Sequence, residues 1–375
     1  MDFGLNPRQQ ELQKNLRGLF AKEIAPKAAD VDAAAAFPAD NFKVLAEAGF
    51  LGLTIPKEFG GAGDDVTTAI TAIEELATAC ASTAMCAGAS SLVCGGAIEA
   101  FGTAALKKKW LPEIASGKAV GSYALTDPSG GGLSDIKMTA VKSGAGYEIT
   151  GSKSLATNGA NAAVVIVIAL LDGKLSAFAV EKSLAGFGVG QKIETMGLRG
   201  TALADINLDK CIVPAENLLG AEGDGEKIAA AMLNRARLHT AVLSVGIGRA
   251  AYEEGKKRAE TRVSGGKPLG AYQEVSFRIT DMFIESDTAR QLCYLAAWTL
   301  DEGAAEAATS VSVAKLYASE MAVRNASRAV QIFGGAGYTK ASAVERIYRD
   351  AKYTEIGDGA NEIQRMLIAE DVLKD

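Results

Sequence analysis

The residues best placed to do chemistry lie near the end of the chain. In EIGDGANEIQ (Glu355–Gln364) an aspartate, Asp358, stands between two glycines in a loop that enters the last helix, with Asn361 as the expected N-cap. A carboxylate so placed can take a proton directly when the carbon acid comes within about 2.6–3.2 Å. Burial beside apolar groups would raise its pKa, and the helix N-terminus would lower it. Taken alone, these residues also read as an ordinary Asp-Gly turn. A second segment, YALTDPSGGGLSD (Tyr123–Asp135), is rich enough in glycine for backbone N–H groups to cradle a phosphate, and it too has a plain turn as its simpler reading. Other chemistries are poorly supplied. The chain has one histidine, His239, mid-helix and without ligand-spaced neighbours, which reads as structural. Its five cysteines (80, 86, 94, 211, 293) form no CxxC pair, which argues for reduced, buried thiols in a cytoplasmic protein and against a zinc site.

These residues need elements to hold them. At 375 residues, 48% hydrophobic and 22% charged, the chain is long enough for two or three domains. A net charge of -6 disfavours a nucleic-acid surface. No basic n-region precedes an apolar stretch at the start, and the longest apolar run, Ala162–Leu171, is too short to cross a bilayer. Residues 1–119 read as helices, including Arg8–Lys22, Asp40–Gly49 and Val66 to about Glu99, with a Pro- and Gly-punctuated loop at Leu53–Gly63. Residues 120–225 carry short apolar or alternating runs at Ala140–Lys142, Tyr147–Thr150, Ala162–Leu171, Leu175–Glu181 and Ala204–Leu208. That is the pattern of an antiparallel β-domain, and no GxGxxG opens a helix after a strand, so a nicotinamide-type fold is disfavoured. Residues 226–375 return to helix. Val275, Ile279, Met282, Ser286, Ala289, Cys293 and Ala296 trace one face, Gly303 closes that helix, and two more long helices complete an expected four-helix bundle.

This α, β, α-bundle order resembles the acyl-CoA dehydrogenase family along the whole chain. The resemblance is carried by PKEFGGAG (Pro56–Gly63), Tyr123–Asp135, MGLRGTALADINLDKCIVPAENLLG (Met196–Gly220), QIFGGAGY (Gln331–Tyr338) and RIYRDAKYTEIGDGANEIQRMLIA (Arg346–Ala369), in order. It implies an α+β fold with an N-terminal helical domain, a middle antiparallel β-domain and a C-terminal four-helix bundle. It also implies FAD, because desaturating an acyl-CoA thioester requires a hydride acceptor that no side chain supplies. By the match, Tyr123, Leu125 and Thr126 face the flavin, and Ser134 reaches the pyrophosphate or the CoA. Within GSKSLATNG (Gly151–Gly159), Thr157 bonds near the hydride-accepting nitrogen, and Leu155 stands where the family has Trp. Arg262 matches an Arg on FAD phosphate, a role suited to its bidentate fork. Gln273 closes that motif, and Gln331, Gly334 and Gly335 match contacts to a neighbouring subunit's cofactor, which implies a homo-oligomer, usually a tetramer. Asn361 matches a position on the cofactor side. On the substrate side the resemblance implies Asn234, where Asp is common, Arg237 near the thioester–CoA end, and Gly359 beside the base. An electron-transfer flavoprotein is the implied acceptor.

Asp358 occupies the place where family members commonly carry a glutamate base. Another branch carries its Glu at the position of Ala236. Glu355, the nearest other carboxylate, reads as a partner for an Arg such as Arg349. Aspartate is one methylene shorter, and Gly357, Leu155 and the small residues Ala87–Ser91 all suggest space in place of bulk. A wide acyl group, branched or alicyclic such as cyclohexane-1-carboxyl-CoA, is therefore the expected substrate. The same groups serve enoyl-CoA reduction. A nitroalkane-oxidase-like enzyme and a flavin- or acyl-CoA-binding protein without turnover are the competing readings.

Overall fold

The computed structural model describes residues 4–144 and 146–374. Seven helices come first: α1 (Pro7–Glu23), α2 (Ala28–Ala34), α3 (Ala39–Glu47), α4 (Val66–Ala79), α5 (Ala81–Gly88), α6 (Gly96–Phe101) and α7 (Ala104–Ala115). Asn6 and Gln9 form a reciprocal capping box ahead of Pro7, which fixes the start of α1. The helix expected from Val66 onward breaks at Cys80, whose φ of -158° is extended, and Ala89–Gly95 winds as π-helix between α5 and α6. The stretch Ala81–Phe101 is long and apolar enough to cross a membrane by composition, but it is 83% buried as a core helix of this fold.

The middle domain is one sheet: β1 (Gly121–Ala124), β2 (Thr139–Ser143), β3 (Gly146–Ala156), β4 (Val164–Leu171), β5 (Lys174–Glu181), β6 (Phe187–Lys192), β7 (Ala204–Pro214) and β8 (Leu218–Leu219). The order is β6-β7-β3-β2-β4-β5-β8, with β1 on β4. Most pairs are antiparallel, but β4 runs parallel to both β1 and β2. β4 is buried on both faces, as its unbroken apolar sequence requires.

The last part holds α8 (Gly225–Thr261), α9 (Gln273–Asp301), α10 (Ala307–Phe333), α11 (Ala343–Thr354) and α12 (Asn361–Val372). One long helix follows α9, not two. The chain then breaks at the glycines after Phe333 and continues as two short helices, so the bundle is α8–α11 with α12 laid on α10. The face of α9 traced by Met282, Ala289, Cys293 and Ala296 is buried, as its spacing predicts. Glu74 and Glu75 of α4 tie the helical parts together, bridging to Arg290 at 2.7 Å and to Arg17 and Arg249 at 2.8 Å each.

Candidate active site

Asp358 lies in the turn between α11 and α12 with φ +55°, a left-handed conformation that aspartate tolerates better than most residues. Three side chains from two elements hold it. The Tyr123 hydroxyl of β1 donates to Asp358 Oδ1 at 2.5 Å, and the Thr240 hydroxyl of α8 donates to Oδ2 at 2.6 Å. Arg237, one turn before Thr240, donates from Nε to the Asp358 carbonyl at 3.3 Å. Burial, then the Asp358 charge, push the Tyr123 phenol well above its ordinary pKa, so it stays a donor. Burial lowers Arg237 against the pull of Asp358. Lys315 of α10 is pushed down to about 8 by burial, again opposed by Asp358.

β1 is itself pinned. Ser90 Oγ, in the π-helical stretch, accepts from Gly121 N–H at 2.9 Å, and Ser122 donates to the Thr157 carbonyl at 2.6 Å. Asn158 donates to the carbonyls of Cys86 and Gly121. The strand that carries Tyr123 is thereby locked between the small-residue helix and the end of β3.

The space expected around Asp358 is filled. A Cβ on Gly357 would lie 2.3 Å from Tyr353 Cζ, so the Tyr353 ring occupies the volume that a side chain at 357 would take. A Cβ on Gly88 would lie 2.1 Å from His239 Nε2, so the imidazole fills the gap left in the Ala87–Ser91 run. His239 is fully buried and meets the Ala84 carbonyl at 3.1 Å through Nε2, which must therefore carry the proton; Nδ1 has no partner among the described residues. Burial lowers its pKa, so the ring is neutral at physiological pH. It is structural, as the sequence suggests, but it also shapes the wall near the base.

A cleft of about 220 Å³ is lined by Met85, Thr157, Met196 and Leu198 together with Tyr353 and Ile356 of the segment that leads into Asp358, among others. Met196 and Ile356 are 55% and 60% exposed, and Leu155, at 56%, stands next to Thr157's strand end. Leu155 takes φ +58°, costing about 1–2 kcal/mol, and its N–H donates to Asp205 Oδ1 at 3.0 Å. Strain of this kind collects at ligand sites. The Tyr123–Asp135 loop is fastened by a feature the sequence reading passed over: Asp127 forms a buried ion pair with Lys153 Nζ at 2.5 Å and accepts from the N–H groups of Lys137 and Met138. Lys153 Nζ also donates to the Leu125 carbonyl. Leu125 and Thr126 are half-buried at the sheet's end, and Ser134 is exposed on a short 3-10 turn. Asn234 is half-buried on α8, a turn ahead of Arg237 and Ala236.

Three expectations are corrected. Ala360, not Asn361, caps α12; the Asn361 carboxamide is buried and accepts from Lys315 and Ser319. Glu355 pairs with Lys352 at 2.6 Å, and Arg349 pairs with Asp32 and Glu345. Gly357 and the Ala87–Ser91 stretch do not leave open space. Arg262, Gln273, Gln331, Gly334 and Gly335 are all exposed and gather at one end of the bundle, where the Arg258 guanidinium lies 5.2 Å from the Phe333 ring centre. They are far from Asp358: from Thr240 to Arg262, α8 rises about 33 Å.

The chain matches the acyl-CoA dehydrogenase N-terminal domain over residues 6–118, the middle domain over 122–211 and the C-terminal domain over 223–373. The chain belongs to the acyl-CoA dehydrogenase family. A short-chain-specific acyl-CoA dehydrogenase of Clostridium acetobutylicum is 35% identical over the full length of both chains. The solved butyryl-CoA dehydrogenase of Megasphaera elsdenii, 35% identical, superposes with a TM-score of 0.96 over all of both chains. A chain of the solved structure described as the electron transferring flavoprotein of Acidaminococcus fermentans, 36% identical, superposes at 0.97, again over all of both. This dehydrogenase is an FAD-dependent oxidoreductase of acyl-CoA thioesters. The lining fits that cofactor: the exposed apolar side chains of Met196 and Ile356 border a cleft in which a flat ring system would bury them, and Thr157 offers a hydroxyl there.

Proposed function

We propose that Asp358 is the base of this dehydrogenase and that its acyl substrate is compact and wide, branched or alicyclic such as cyclohexane-1-carboxyl-CoA. The carrying observation is the Asp358 carboxylate, presented from a left-handed turn and held by Tyr123 and Thr240, with Tyr353 and Ile356 of the preceding segment lining the Thr157 cleft. Asp358 takes the α-proton, and the electron pair of the broken Cα–H bond becomes the α,β double bond as hydride leaves the β-carbon. FAD, when bound, accepts that hydride. Arg237 anchors the turn and supplies positive charge where the thioester enters, with Asn234, Gly359 and Ser134 on the CoA side. Tyr123, Leu125, Thr126, Leu155 and Thr157 form the flavin wall. What supports a compact acyl group over a long straight chain is the filled volume at Gly357 and Gly88, taken up by the Tyr353 and His239 rings.

The acceptor in this reading is an electron-transfer flavoprotein, and five buried, unpaired cysteines fit a cytoplasmic setting. The assembly is a homo-oligomer, a tetramer by family resemblance. Arg262, Gln273, Gln331, Gly334 and Gly335 are too distant from Asp358 to serve the same cofactor molecule, so they serve a neighbour's. Phe277, Ile284, Leu295 and Trp298, each at least 50% exposed, form one apolar face of α9 suited to burial against a second copy.

Anaerobic addition of thioesters tests the reading. Cyclohexane-1-carboxyl-CoA should bleach the oxidised flavin faster than butyryl- or octanoyl-CoA, and Asp358→Asn should abolish bleaching. Faster reaction with octanoyl-CoA overturns the acyl assignment, and peroxide formation from a nitroalkane overturns the thioester chemistry.

A further inference from the structure

We infer that Thr240 and Tyr123 are positioning residues that make a short aspartate competent as the base, an inference that rests on the reading of Asp358 above. Each carboxylate oxygen has its own hydroxyl donor, Tyr123 on Oδ1 and Thr240 on Oδ2, and Arg237 holds the backbone carbonyl of the same residue. Those contacts fix both side-chain torsions and the peptide plane at once. The anchors are rigid: Thr240 is fully buried, its neighbour Ser244 bonds back to its carbonyl at 2.7 Å, and Tyr123 sits on a strand pinned from both sides.

Two physical effects oppose each other here. A hydrogen bond to the ionised carboxylate favours the anion and so weakens it as a base. Fixing the carboxylate in the attack geometry raises the rate, and misplacement by about 1 Å can cost about 100-fold. An aspartate has one fewer torsion than a glutamate with which to correct its aim, so for this residue the geometric gain decides. After proton transfer the hydroxyl facing the protonated oxygen can rotate to accept while the other goes on donating, so the same contacts hold the neutral acid.

The test uses the FAD-loaded enzyme and the best thioester of the substrate panel. Thr240→Val and Tyr123→Phe should each lower the flavin-bleaching rate about 10- to 100-fold, with KM within about twofold. Thr240→Ser, which keeps the hydroxyl, should restore the rate. FAD content and thermal midpoint serve as controls, and Thr240→Ser with Tyr123→Phe carries the test if the valine variant does not fold. An unchanged rate in Thr240→Val and Tyr123→Phe, or a lowered rate that Thr240→Ser does not restore, overturns the inference. If Asp358→Asn is inactive in the same assay, that failure is of the positioning alone; if Asp358→Asn still turns over, the base assignment itself has failed.

Discussion

A single buried lysine illustrates how a residue far from the reaction sets the cofactor wall. Lys153 is fully buried and, among the described residues, its charged partner is Asp127, which also takes the backbone N–H groups of Lys137 and Met138 just after the Tyr123–Asp135 loop. Removing one member of such a pair leaves an uncompensated charge, so Lys153→Met should destabilise the enzyme by about 3–5 kcal/mol and loosen FAD. Urea unfolding with and without added FAD measures both. At this scale the sequence was legible where the chemistry is local. Asp358 stands out by type and by its flanking glycines, whereas Arg237 and Thr157 are reached through the resemblance of their segments to the family. Tyr353 and Lys153 did not stand out, because their roles are set by a glycine four residues away and by an aspartate on another segment. Thr240 had a readable signal, since it follows Arg237 by three residues and must share its helix face.

Between elements, the join of α11 to the β-domain depends on one protonation state. Asp350 of α11 is buried, accepts from the Leu198 N–H at 2.6 Å, and has its pKa raised to about 7 by burial. A carboxyl that holds its proton more tightly when folded favours the fold below its unfolded pKa, and that contribution is lost as pH rises from about 4 through about 7. Asp350→Asn keeps an acceptor and removes the titration. Its stability relative to the parent should therefore climb between pH 5 and pH 8, as read by urea midpoints at each pH; a constant difference contradicts this. The long helices were legible from periodicity, which a buried face enforces over many turns. β1 and β6 were not: β1 is four residues, all buried, and β6 (FGVGQK) has too few apolar side chains to alternate. The parallel pairing of β4 was equally hidden, because register between distant strands leaves no mark in a short apolar run.

At the scale of the assembly, the bundle end that carries Arg262 should complete a site on another copy. Arg262→Ala and Asp358→Asn proteins should each be inactive or nearly so, yet exchanging subunits between them should recover up to about a quarter of parental activity, because mixed pairs contain one intact site. No recovery after verified exchange contradicts sharing. Trp298→Asp on the α9 face should shift sedimentation toward smaller species and lower FAD content in parallel.

The rings of Tyr353 and His239 also constrain how this enzyme can change. At Gly357 any added carbon meets Tyr353, and at Gly88 any added carbon meets His239. Neither glycine can be replaced while its ring remains, and removing a ring alone opens a cavity beside the base. On the acyl assignment proposed above, scope at this wall changes through two coupled pairs of positions, because a side chain at Gly357 or Gly88 is accommodated only when the facing ring is exchanged with it.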